Sequence, residues 1–177
     1  MRRMNGLVLA GALLAAPLLV QAAGSTGSAP PSLEQRVRHE LVILPYYNVF
    51  DNLSFQVDGS RVVLTGEVTW PTLKSDAGNV VRRIPGVTGV TNNIEVLPLS
   101  PFDNRVRLAE YRAIFGRDGL YRYAVGALPS IHIIVKNGHV TLEGVVSSET
   151  DRNLVGLYAN GVFGVFSVTN HLRVVKS

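Results

Sequence analysis

Arg112, Arg117, Tyr121, Arg122 and Tyr123 crowd into one twelve-residue stretch, with Arg105 just upstream. Guanidinium groups fork onto phosphate oxygens, and phenol rings settle where lipid head groups meet acyl chains. A segment that presents both suits an anionic phospholipid surface or a protein of the cell envelope. The same residue types also serve a plainer purpose: tyrosines close a local core while arginines lie beside them with their heads in water. Both readings stand at the level of sequence.

Other chemistry finds little to build on. His132, His139 and His171 are enough imidazoles for zinc, but His132 and His139 flank a turn, His171 lies on another segment, and no carboxylate spacing joins them. They read as solvent-facing strand positions, so neither a metal nor a cofactor is expected. The chain has no cysteine, which removes disulfides, thiolate ligands and thiol nucleophiles together. There is no Gly-x-Ser-x-Gly elbow, no His-Glu-x-x-His and no phosphate-cradling glycine loop. Acidic residues fall mostly on caps, turns and outward strand positions, which leaves no shielded pair for acid–base work. The expectation is a binding protein and not an enzyme.

The elements that position these residues are written twice. Val62-Val63-Leu64-Thr65-Gly66-Glu67-Val68 returns as Val140-Thr141-Leu142-Glu143-Gly144-Val145-Val146, displaced by 78 positions. Gly86-Val87-Thr88-Gly89-Val90-Thr91-Asn92 returns as Gly164-Val165-Phe166-Ser167-Val168-Thr169-Asn170 with the same displacement. Two copies of one folding unit follow.

In the first copy, Ser32 with Gln35 is a capping box for a helix bearing Val37, Leu41 and Leu44 and ending near Pro45. Alternating apolar residues around Asp58-Gly59 make a hairpin. Pro71 opens a second helix with Val80, Val81 and Ile84 on its apolar face, and Gly86 is expected to end it. Val90, Ile94 and Val96 form a last strand. The second copy repeats the order, with Ser100 and Asp103 opening a helix that carries Val106, Tyr111 and Phe115. Asn137-Gly138 makes the turn, Ser148 to Asp151 cap the second helix, and Gly161 or Gly164 stops it. The fold class is therefore α+β: two tandem αββαβ domains, each a three-stranded mixed sheet with two helices on one face. Gly66 and Gly144 read as close-packed strand positions, and Asn92 and Asn170 as side chains that satisfy nearby backbone.

The pattern of an Asx-Gly hairpin, Val-x-Leu-x-Gly, a helix and then Gly-Val-x-x-Val-x-Asn-x-Leu/Ile-x-Val resembles the BON domain family, named for bacterial osmotic-stress and nodulation proteins. Gly66, Gly86, Asn92, Gly144, Gly164 and Asn170 sit where that pattern wants them. The resemblance covers nearly all of the chain beyond its first thirty residues, twice. It implies a periplasmic, non-catalytic protein of envelope stress, whose relatives act as chaperone-like proteins or contact phospholipid. In some two-copy relatives a helix of the second copy contacts anionic lipid, which points to the second copy here.

Residues 1–22 read as a signal peptide: Arg2 and Arg3, an apolar run from Gly6 to Val20, then a small-residue cleavage site after Ala22. Residues 23–31 read as a flexible linker, residues 32–98 as the first domain and residues 100–177 as the second. No later apolar run is long enough for a transmembrane anchor. Without the leader the chain carries 15 basic and 13 acidic side chains. Residues 32–98 hold six basic and seven acidic groups, and residues 101–177 hold nine and six, so the second copy is the cationic one. Export and so modest a charge argue against nucleic acid.

The pair Arg36 and Arg38 recurs as Arg105 and Arg107 at a displacement of only 69, so the second copy gains nine net residues after its first helix. The hairpin of the second copy is expected to be one residue tighter, and the insertion to lie within 115–130, with a short extra helix over Leu120 to Ala127. The leading expectation is an exported, periplasmic envelope protein that binds envelope components through its second copy. A chaperone that holds unfolded clients, or an envelope assembly module, is the alternative.

Overall fold

The computed structural model describes residues 30–116, 119–126 and 128–175. The expected signal peptide, nearly all of the expected linker and Arg117 lie outside them. Helix α1 (Leu33–Val42) opens on the expected capping box: Gln35 N donates to Ser32 Oγ at 3.2 Å, and Ser32 N donates to Gln35 Oε1 at 2.8 Å. Strands β1 (Asn52–Asp58) and β2 (Arg61–Val68) pair antiparallel. Helix α2 (Pro71–Arg82) returns the chain so that β3 (Gly89–Asn92) and β4 (Glu95–Val96) lie parallel to β2. The mixed sheet thus has three strand positions, the third broken after Asn92.

The second copy follows the same course. Helix α3 (Pro101–Phe115) leads to β5 (Ile131–Lys136) and β6 (His139–Val146), an antiparallel pair. Helix α4 (Glu149–Asn160) then places β7 (Ser167–Asn170) and β8 (Arg173–Val174) parallel to β6. Each copy has its own apolar core, one centred on Val37, Leu64 and Val81 and the other on Ile114, Ile133 and Leu142, all fully buried.

The repeated residues explain themselves as geometry. Gly66 and Gly144 have φ of +114° and +117°, and a Cβ at either would drive into the carbonyl of Asn52 or Ser130 on the neighbouring chain segment. Asn92 Nδ2 donates to the Lys74 carbonyl at 2.8 Å while its Oδ1 accepts from Ile94 N at 3.2 Å; Asn170 does the same with Arg152 and Leu172. Each asparagine ties the break in the third strand to the helix above it. The helix must yield space: a Cβ on Gly78 would lie 2.8 Å from Asn92 Nδ2, and one on Gly156 2.9 Å from Asn170 Nδ2. Sequence reading passed over these two helical glycines, although they too repeat in register.

Three expectations are corrected. Helix α2 ends at Arg82 with Arg83 as its C-cap, so Gly86, at φ +93°, turns the chain into β3 and does not end the helix. The hairpins have equal length, since Asp58 faces Arg61 and Lys136 faces His139; Gly59 therefore occupies the place of Asn137. The expected extra helix is a single 3₁₀ turn, Tyr121–Tyr123, bounded by Gly119 and Gly126 at φ +86° and +119°. In addition, α3 continues to Phe115, beyond Tyr111, the counterpart of the last α1 residue Val42.

Candidate functional site

The residues singled out by sequence divide between the two ends of β6, roughly 25 Å apart for a strand of this length. Arg105 stands at the hairpin end. Its guanidinium lies over the Phe102 ring at 5.9 Å, and Phe102 stacks on Phe166 at 6.0 Å. His139 meets Phe166 edge-on and hydrogen-bonds through Nδ1 with Ser167 Oγ at 2.7 Å. Phe163 projects from the turn after α4, 99 % exposed, and Phe166 is 70 % exposed. Their register mates in the first copy are Pro85 and Thr88. Arg105, Leu108 and Arg112, at i, i+3 and i+7, continue from this corner as one exposed stripe along α3.

Arg122 and Tyr123 occupy the other end and are committed to structure. Tyr123 is buried in the core of its own copy. Its hydroxyl donates to Asp151 Oδ2 at 2.7 Å and accepts from Ser147 N at 2.9 Å. Arg122 donates to the Gly119 carbonyl and pairs with Asp151 at 2.7 Å. Asp151 also takes a hydrogen bond from Ser148 Oγ at 2.7 Å, while its own N–H caps back onto that oxygen. Burial pushes the Asp151 carboxyl up, but the donors from Ser148, Tyr123 and Arg122 outweigh it and hold the group below its ordinary range. Tyr121 is exposed, and Leu120 beside it is buried. The insertion is thus a plug on the second core with Tyr121 left outside.

A third set of polar residues gathers where the copies meet. Asp51, fully buried, accepts from Thr69 N at 2.6 Å, Thr69 Oγ1 at 2.7 Å and Asn48 N at 3.1 Å. His132 stacks on Tyr47 at 5.5 Å; burial pushes its imidazole below the usual range. That corrects its expected solvent-facing place. His171 is outward as expected, with Nδ1 on Glu143 Oε1 at 2.7 Å. Among the described residues no group of His, Asp and Glu could hold a metal ion.

Glu110 is the residue that sequence reading missed. It is fully buried on α3, neither oxygen has a hydrogen-bond partner among the described residues, and burial pushes its carboxyl up to about 8. The signal was present: Glu110 lies four residues from both Val106 and Ile114, two apolar buried positions of its helix. Tyr111, expected on that face, is turned outward and packs edge-on against Phe50.

The family model of the BON domain matches residues 31–98 and 124–176. Curated proteins give no match. Among solved structures the chain is similar to CdsD, a structural protein of the type III secretion system of Chlamydia trachomatis, at 13 % identity and a TM-score of 0.32, with 82 % of this chain and 93 % of that one covered. The C-terminal domain of CdsD from the same organism gives 14 % identity and a TM-score of 0.30, with 83 % and 99 % covered.

Proposed function

Since the chain belongs to the BON domain family and carries that domain twice, we propose that it is an exported, periplasmic envelope-stress protein whose second copy rests on anionic phospholipid. One observation supports this most directly: Phe163, 99 % exposed, shares the α4–β7 turn with Phe166, which stacks on the Phe102 ring that Arg105 covers, where the same turn of the first copy offers Pro85 and Thr88. A single exposed ring is ordinary, but two on one turn next to a third make a patch, and exposed apolar patches mark interaction surfaces. Rings that enter the head-group boundary, backed by arginines at phosphate depth, are what an interfacial contact needs. Arg112 and Leu108 extend the same surface along α3. Nothing catalytic is included in the reading, and nucleic acid is not among the proposed partners.

Flotation of the purified protein with phosphatidylglycerol-containing vesicles and with neutral phosphatidylcholine vesicles tests the proposal. Binding to the anionic vesicles that weakens as salt rises is expected. Equal and negligible binding to both at low salt would sink the lipid assignment and leave a protein partner for the same corner.

A further inference from the structure

A cavity of about 360 Å³ opens between the two copies, walled by the β2–α2 turn, the connector and α3. Its lining is dominated by Phe50, Trp70, Leu97, Leu99 and Leu108. Three of these remain largely in water, Leu99 at 91 %, Trp70 at 56 % and Leu108 at 49 % exposure. Exposed apolar side chains that converge on one opening are a different matter from the same residues scattered singly. The volume lies within the range of small-molecule sites.

The polar part of the wall has a definite sign. Thr69 and Asn48 also line the cavity, but Thr69 spends both donors on Asp51, and Asn48 gives one amide hydrogen to the Tyr46 carbonyl and accepts from Phe50 N through its Oδ1. Arg107 and Asn104 remain. Arg107 is only 5 % exposed; its Nη1 donates to Asn104 Oδ1 at 2.6 Å and its Nη2 to the Val135 carbonyl at 2.7 Å. Its Nε finds no acceptor among the described residues, and no carboxylate pairs with it directly. Asp51 and Asp103 lie near enough to favour its charge, but Asp51 is occupied by Thr69 and Asn48, and Asp103 by the N–H groups of Asn137 and Gly138. Asn104, having used its oxygen on Arg107, offers its Nδ2 hydrogens. The one charge on the wall is therefore positive, with donors beside it, and a carboxylate is acceptor-only.

The equivalent residue in the first copy shows that the burial is specific. Arg38, at the displacement that relates the two first helices, is exposed and rests over the Phe55 ring at 5.5 Å. Arg107 instead lies buried at the wall of the cavity, with Asn104 and the Val135 carbonyl of its own copy as partners and first-copy residues such as Trp70 across the opening.

We propose that this cavity binds a single-chain amphiphile, its anionic head group on Arg107 and Asn104 and its alkyl chain along Trp70, Leu99 and Leu108. The site shares Leu108 with the exposed stripe of α3 but includes none of Phe102, Phe163 or Phe166, and does not depend on vesicle binding. Trp70 is the sole tryptophan of the chain, so its fluorescence reports directly on the cavity. Titration with decanoate, below its micelle concentration, should give a saturable one-site change. Decanol, with the chain alone, and acetate, with the head alone, should each bind at least about tenfold more weakly. Arg107→Met should abolish the preference of decanoate over decanol. Because a buried arginine also supports packing, Leu99→Asp provides a second arm: it alters an exposed side chain at the mouth and should weaken decanoate at least about tenfold by repulsion. Phe163→Ser should leave decanoate affinity unchanged. A flat Trp70 signal with decanoate, equal affinity for decanol, an unaffected Leu99→Asp variant, or a parallel loss in Phe163→Ser would each overturn the assignment.

Discussion

The backbone N–H of Ile133 donates to the carbonyl of Val49 at 2.8 Å. Ile133 lies on β5, the outer strand of the second sheet, and Val49 belongs to the α1–β1 loop of the first copy. An open strand edge is a pairing hazard, and here the other copy covers part of it. Val49 itself is counted in the second core, with Phe50 packed against it. The exposed Lys136–Glu95 pair at 2.6 Å spans the same junction and adds little.

The first prediction follows from that plug. Val49→Asp places a charge in the second core, and should destabilise the protein by about 3 kcal/mol or more. Hydrogen exchange at the Ile133 amide should accelerate, while amides of β2 stay protected. Unchanged protection at Ile133 would mean that the loop is not structurally required by the second copy.

Much of this was legible because the repeat tested each reading against its twin. Capping residues, the presence of both hairpins, the order of elements and the roles of Asn92 and Asn170 follow from local rules that a sequence displays. What escaped depends on packing between the copies. Nothing near Asp51 or His132 announces that one copy will bury them beside the other. The insertion escaped for a related reason: Tyr123 is drawn inward by Asp151 and Ser147, far away in sequence, and so does not continue a helix. Hence Arg105 stands at the hairpin end, Arg122 and Tyr123 close the opposite end, and Arg112 lies in the last turn of α3.

Glu110 predicts a pH dependence with a definite sign. Its carboxyl is raised from 4.5 to about 8 by burial, so the folded protein holds a proton that the unfolded chain releases. Stability should therefore decline as pH rises through that interval and level off above it. Glu110→Gln should remove this part of the slope, and at higher pH should be more stable than the parent by a few kcal/mol, on the order of 1.4 kcal/mol per unit. Asp51 and Glu67, also raised by burial, add slope of the same sign that the variant retains. His132, lowered by burial, acts oppositely and costs stability as pH falls through the histidine range. Urea denaturation of both proteins across pH checks it; parallel curves would refute the role of Glu110.

Asp151 should behave in the reverse sense. Its carboxylate collects Tyr123, Arg122 and Ser148, so Asp151→Asn should cost about 1–3 kcal/mol at neutral pH and free the 3₁₀ turn. Because its folded pKa lies below the ordinary 3.8, the stability it contributes is present above that value and is lost as pH falls beneath it. The penalty of the substitution should shrink in acid accordingly. A penalty that is constant with pH would assign the effect to packing alone.

Phe163 and Phe166 offer the sharpest separation between a surface that merely tolerates exposed rings and one that uses them. Burial of a phenylalanine side chain is worth roughly 1.5–3 kcal/mol, so the Phe163→Ser, Phe166→Thr double variant should lower affinity for anionic vesicles at least about tenfold. Phe163 touches little of its own domain, so the single change to serine should leave the melting temperature nearly unaltered. Arg105→Gln acts on the other component: it should reduce the steepness with which binding falls as salt is added, since one fewer cation meets the phosphate layer. The two classes of variant therefore leave different signatures on one vesicle. Loss of affinity with the salt dependence intact belongs to the rings, and a flattened salt dependence to the arginine. Variants that bind as the parent does at every salt concentration would show that this corner faces something other than lipid.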